Sequence, residues 1–108
     1  INSYTDVSDI YMKKGDKVSL KTTGSIKLGL FAGESGPDGI DGYELYSYNK
    51  AFRHGALIGK IGDNGTWFLI GSSKTFVAEE AGVLVVAVND IQPSNNSGRF
   101  YLEYEIIK

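Results

Sequence analysis

The stretch Val83-Leu-Val-Val-Ala-Val88 is a run of apolar, mostly β-branched residues that stops abruptly at Asn89-Asp90. A strictly alternating segment, Arg-Phe-Tyr-Leu-Glu-Tyr-Glu-Ile, follows at 99–106. The continuous run predicts a central strand buried on both faces, and the alternation predicts a strand with one buried face. We therefore expect 83–88 to be a central strand with 99–106 lying beside it.

Shorter strand-like runs recur outward from this stretch and are separated by Gly, Asp and Asn, whereas helix-period patterns are nearly absent. These further runs occupy 17–23, 26–30, 56–61, 67–70 and 74–78. About eight short strands with regular turn signals predict an antiparallel two-sheet β-sandwich that is jelly-roll-like. At 108 residues, we expect one domain, residues 1–108, large enough to bury a core.

Composition argues against several functional classes. The net charge is −2 with no basic run, which argues against nucleic acid as a partner, and no stretch approaches the ~18 apolar residues of a membrane span. Zero Cys excludes thiol catalysis, and His54 is the only His, so no His cluster exists. Because Ser72-Ser73 lies outside a G-x-S-x-G elbow and Glu79-Glu80 is interpreted as a solvated turn, we expect a protein that is not an enzyme.

The loop after the apolar run carries a cluster of oxygen-bearing side chains. One carboxylate, Asp90, and three asparagines, Asn89, Asn95 and Asn96, fall within eight residues. Carboxylate and amide oxygens are the ligands that calcium prefers. The same residue types are also ordinary turn formers, so the residues alone leave calcium binding and simple turn chemistry both open.

Four segments in order resemble the PA-IL-like family of bacterial calcium-dependent galactose-binding lectins. The first is 14–18 with Thr23-Gly24, and the second is Gly36-Pro37-Asp38-Gly39. The more specific segments are His-Gly-Ala-Leu-Ile-Gly-Lys-Ile-Gly at 54–62, and Asn-Asp-Ile at 89–91 followed by Asn-Asn-Ser-Gly-Arg-Phe at 95–100. The resemblance spans most of the chain and implies a carbohydrate-binding sandwich that acts outside the cell.

The resemblance also implies a ligand set, in which calcium is held by an Asp, two consecutive Asn and two backbone carbonyls. The matching side chains are those of Asp90, Asn95 and Asn96. The first carbonyl corresponds to that of Leu28. The second lies in a loop two residues shorter than the family pattern, where Ser94 or Gln92 supplies it.

Two sugar hydroxyls complete the calcium shell in the family, so the resemblance implies a galactose-containing glycan as partner. Asp90 and Asn95 would form second hydrogen bonds to those hydroxyls, and the backbone amide of Ile91 would also reach the sugar. The family's His and Gln in the Gly-Pro-x-Gly loop have no match. The residues that lie there instead, and that we expect beside the sugar, are Asp38, Asp41 and Tyr43.

Two further features keep alternative interpretations. The tyrosines of the long loop, Tyr43, Tyr46 and Tyr48, either stack on sugar rings or cap the open end of the core. His54 is interpreted as a strand-start residue that packs near Trp67 or Tyr side chains.

Two functional hypotheses follow. The first is a calcium-dependent, galactose-type carbohydrate-binding module of a secreted bacterial protein, itself a part of a larger chain. The second is a structural or protein-interaction β-sandwich without a working calcium site. Calcium-dependent thermal stabilisation would separate them, because a ligand that binds only the folded state stabilises it.

Overall fold

A computed structural model describes residues 6–28, 33–42, 48–90 and 96–107, with the backbone alone for Asp6, Val7, Asp9, Leu28 and Asn96. Within these ranges the regular structure is entirely β. The strands are β1 (Asp6–Met12), β2 (Lys17–Leu28), β3 (Glu34–Ser35), β4 (Leu57–Ile61), β5 (Phe68–Leu69), β6 (Ser73–Val77), β7 (Gly82–Val88) and β8 (Asn96–Ile107). Among the described residues, no helix is long and apolar enough to cross a membrane.

The strands form two antiparallel sheets, as the sequence predicts. Sheet A has the order β1-β7-β4-β5, and in sheet B the long strand β2 pairs with β3 and β6 on one path and with β8 off that path. Inward side chains from both sheets share one buried core. The core includes Val18, Leu20, Ile26, Leu57, Leu84, Val86, Val88 and Phe100.

β7 is buried on both faces, which confirms the prediction from its continuous apolar run. Leu84, Val86 and Val88 belong to the core between the sheets. Val85 and Ala87 point to the opposite face, because side chains alternate along a strand, yet they are also buried. Other parts of the chain therefore cover the outer face of sheet A.

The prediction that 99–106 lies beside 83–88 is wrong. β7 pairs with β1 and β4, whereas β8 pairs with β2 from Lys17↔Ile107 to Leu28↔Asn96. The reason is that the chain passes from sheet A to sheet B between the two strands instead of turning back as a hairpin. The alternation of β8 is as predicted at Phe100, which is buried, and at Tyr101 and Glu103, which are exposed. Tyr104 differs, because it belongs to the face expected to be buried and is 53% exposed.

β2 joins two runs that the sequence suggested as separate strands. It continues through Gly24, where φ is +96° and a side chain would collide with the carbonyl of Arg99 on β8. Glycine at this position therefore permits both the left-handed backbone and the close approach of β8. The strand consequently extends to Leu28, at the end of the sandwich where the Asp90 loop begins.

Candidate functional site

Strand ends from both sheets lie together at one end of the sandwich. β3 leads through Gly36 to Pro37, whose carbonyl accepts a hydrogen bond from the amide of Leu57 (2.9 Å). The C-terminal part of β2, which pairs with β3, thus lies at the same end as the start of β4 and the end of β7. Asp90 follows β7 here, and β8 begins six residues later at Asn96.

Asn89 fixes the base of this end. Its side chain is fully buried, and its Oδ1 accepts a hydrogen bond from the amide of Asn49 (2.7 Å). Its Nδ2 donates to the carbonyls of Asn49 (2.8 Å), Phe52 (3.1 Å) and Arg53 (2.9 Å). One amide group therefore ties the segment 49–53 to the end of β7, immediately before Asp90.

Asp90 and His54 lie together above this base. Asp90 is only 9% exposed and His54 3%, and His54 Nε2 is 3.9 Å from Asp90 Oδ2. Burial lowers the pKa of His54, although the Asp90 carboxylate and a hydrogen bond with the Asn89 backbone act in the opposite direction. His54 is accordingly uncharged at neutral pH.

His54 links two neighbouring loops through its side chain and its backbone. The residue is buried near the start of β4, as expected, and among the described residues its side chain lies next to that of Asp90. Its backbone also pairs with Ile40, whose amide donates to the carbonyl of His54 (2.8 Å). His54 therefore connects the Gly-Pro-x-Gly loop to the Asp90 loop.

The Gly-Pro-x-Gly loop packs tightly against the segment before β4. Gly39 has φ +83°, and a Cβ there would lie 2.7 Å from the Cβ of Arg53. Asp41, predicted to lie beside the sugar, is exposed and forms an ion pair with Arg53 Nε (3.2 Å). It is one residue from Ile40, so its backbone lies close to His54.

Asp38 has a structural contact that the sequence did not indicate. Its Oδ1 accepts a hydrogen bond from the amide of Ser72 (2.8 Å). The same oxygen lies against Gly71, in the turn between β5 and β6, where a Cβ would collide with it. Asp38 thus lies on the β5 side of β4, whereas Asp90 follows β7 on the other side. Of the two acidic residues in this loop, Asp41 is therefore connected more directly to the His54–Asp90 pair.

The remaining predicted ligands differ in how far the structure describes them. Leu28 and Asn96 are Cα partners at the last rung of the β2–β8 ladder, so the backbones of two predicted ligands adjoin each other. The predicted residues that lie outside the described ranges are Ile91, Gln92, Ser94, Asn95 and Tyr43. Their predicted roles remain predictions.

The predicted metal donors at this end are hard oxygens. Among the described residues, no group of three or more His, Cys, Asp and Glu side chains is arranged to hold a metal ion. The predicted site requires only one carboxylate, with amide and carbonyl oxygens for the rest, which is a combination that calcium accepts and softer metals do not favour.

Comparisons with known proteins bear on the fold. No protein-family model and no curated protein matches the chain. Among solved structures, the chain is similar to one described as "EclA N-terminal domain; PllA-like lectin", with a TM-score of 0.76 and 19% identity, over 98% of this chain and 89% of that one. Because folds host many functions, this similarity establishes that the chain has the β-sandwich fold found in that lectin domain.

Proposed function

We propose that this protein is a calcium-dependent carbohydrate-binding domain whose site is formed by the Asp90 loop. The observation that carries the proposal is the meeting of the buried Asp90 carboxylate, the end of the Leu28–Asn96 ladder and the Gly-Pro-x-Gly loop at one end of the sandwich. The fold shared with a lectin domain supports the same conclusion.

The chemistry of the site follows from its oxygen donors. A calcium ion would be held by the side chains of Asp90, Asn95 and Asn96 and by the carbonyls of Leu28 and Ser94. Two neighbouring sugar hydroxyls would coordinate to this ion. Asp90 accepts a hydrogen bond from one of these hydroxyls, and the amides of Asn95 and Ile91 donate to the sugar. Such a site binds a diol and breaks no bond.

The sugar itself is proposed to be galactose or a glycan that ends in it. The resemblance to the PA-IL-like lectins favours an axial–equatorial pair of hydroxyls on the ion. Asp41 and Tyr43, with Asp38 on the β5 side, would meet the edge of the ring. Since few contacts extend beyond the ion, we expect a monosaccharide Kd of about 0.1–1 mM, close to the ~4 kcal/mol that corresponds to 1 mM.

The wider setting is also a proposal. Binding without catalysis suits a domain that anchors a larger secreted bacterial protein to a glycan. The low net charge of the chain is compatible with a neutral polysaccharide or glycoprotein as partner.

Titration calorimetry of the parent and of Asp90→Asn with calcium, and then with galactose, tests this proposal. The variant keeps the side-chain volume but removes the charge, so calcium affinity should fall by at least tenfold and galactose binding should be lost. Asp41→Asn is the matched control, because it should alter sugar affinity while calcium affinity stays close to that of the parent. Calcium binding by Asp90→Asn equal to that of the parent would refute the site assignment.

A further inference from the structure

We propose that Tyr48, which packs against Trp67, forms with Lys60 a second sugar subsite, which binds a ring that follows the one at Asp90 in a glycan chain. The inference rests on the proposed function and adds that the preferred ligand is an oligosaccharide. It assigns one tyrosine of the long loop to ligand binding, where the sequence left stacking and core capping open.

Tyr48 presents an aromatic ring to solvent close to the base of the site. Its side chain is 56% exposed, so it does not cap the core. The next residue, Asn49, exchanges two hydrogen bonds with the side chain of Asn89 (2.7 and 2.8 Å), and Asn89 directly precedes Asp90. The position of Tyr48 is therefore coupled to that of the proposed calcium ligand.

Trp67 contacts the Tyr48 ring, and Lys60 contacts Trp67 in turn. The two rings meet edge to face, with centroids 6.0 Å apart and planes at 85°. Lys60 Nζ lies 4.9 Å from the centre of the Trp67 ring and donates a hydrogen bond to the carbonyl of Asp63 (2.8 Å). The group thus combines an exposed aromatic ring with an ammonium group that can donate to a hydroxyl, and both features suit a sugar ring.

The spacing fits a ligand longer than one sugar. Leu57 pairs with Val88, two residues before Asp90, whereas Lys60 pairs with Val85, three residues farther along the ladder. Three strand residues correspond to about 10 Å, and Trp67 precedes Phe68, which pairs with Gly59. A monosaccharide seated at Asp90 would not reach this far, but the next rings of a chain would.

The side chains also lie on a single face of sheet A. Leu57 and Gly59 point into the core, since Leu57 belongs to it and a Cβ on Gly59 would meet Ile70. Lys60 therefore points to the outer face, the face on which the segment 49–53 is tied down by Asn89. A glycan that leaves the Asp90 end over the segment covering this face would pass Tyr48.

The intrinsic fluorescence of Trp67 gives a direct test, because the chain contains a single Trp. Galactose, lactose, melibiose and raffinose are titrated into the full chain in calcium. These ligands present one, two or three rings with different linkages. At least one oligosaccharide should bind more tightly than galactose and change the Trp67 emission, whereas galactose should leave the emission nearly unchanged.

Variants of Tyr48 separate stacking from a general effect on the site. An aromatic contact of about 0.5–1.5 kcal/mol predicts that Tyr48→Ala weakens oligosaccharide binding about 2–12-fold and leaves galactose affinity unchanged. Tyr48→Phe keeps the ring and should keep the preference. Tyr101→Ala, which removes another exposed tyrosine from sheet B, should have no effect.

The possible outcomes distinguish the two proposals. Equal affinities for all four sugars together with unchanged Trp67 emission would overturn the subsite and leave the Asp90 site intact. Equal losses for galactose and oligosaccharide in Tyr48→Ala would also overturn it. Absence of calcium-dependent binding of any sugar to the parent would instead reject the proposed function, and the subsite with it.

Discussion

Replacing Asn89 by Ala should destabilise the whole Asp90 end of the sandwich. The substitution removes four hydrogen bonds from a fully buried side chain. At about 0.5–1.5 kcal/mol each, these bonds amount to about 2–6 kcal/mol, and we expect about 3 kcal/mol because water can enter the space left behind. An unfolding entropy of about 2.1 cal/mol/K per residue over 108 residues converts this loss into a fall in Tm of about 13 °C.

Thermal unfolding of the calcium-free chain, followed by circular dichroism, measures this effect. Asn89→Asp tests the donors separately, since it keeps the volume and the acceptor of Asn89 but turns a second oxygen toward three backbone carbonyls. It should be at least as destabilising as Asn89→Ala. Asn64→Ala, at an exposed turn position, is the control and should change Tm by less than about 2 °C. A decrease in Tm of less than about 4 °C for Asn89→Ala would refute the proposed role of Asn89. Parental stability of Asn89→Asp would refute it as well.

Three other predictions concern stability. Thr22→Val should raise Tm by a few degrees, because Thr22 Oγ1 is buried with no hydrogen-bond partner among the described residues and an unsatisfied hydroxyl costs about 1–3 kcal/mol; a lower Tm would mean that the hydroxyl has a partner. Gly39→Ala should cost about 2–4 kcal/mol in denaturant unfolding, since φ is +83° and its Cβ would meet Arg53. Gly15→Ala, at φ +93° with no described atom within 4 Å of its Cβ, should cost only about 1 kcal/mol; equal costs would contradict the packing argument. Burial lowers the pKa of His54 in the folded chain, so the unfolded chain binds more protons below about pH 6.5. Thermal melting in chelator should therefore show the full contribution of His54 to stability above that pH and a decline as the pH falls below it. His54→Gln should flatten this decline, and an unchanged dependence of Tm on pH would contradict the assignment.

The central strand of sheet A could be predicted from sequence because burial on both faces leaves a continuous apolar run. Its neighbour could not, because adjacency in sequence favours a hairpin and no residue between Asp90 and Asn96 reveals that the chain changes sheets there. β1 was not predicted for a related reason. Its polar residues and the register irregularity between Val7 and Tyr11 obscure the alternation of a strand.

The candidate site also has features that could be predicted from sequence and features that could not. The Asp90 loop could be identified locally, because its oxygen-bearing residues are close together in sequence. The role of Asn89 depends on partners 36 to 40 residues away, and the contact between His54 and Asp90 depends on the pairing of β4 with β7. Neither leaves a local pattern, so both became visible only in the folded chain.

The most direct test of calcium-dependent carbohydrate recognition is a glycan array probed with the same protein in calcium, in excess chelator, and after calcium is restored. The account predicts binding to galactose-terminated glycans in calcium, loss of that binding in chelator and its full return on restoration. Binding that persists in chelator, or an array that stays blank in calcium while the chain remains folded, would contradict it.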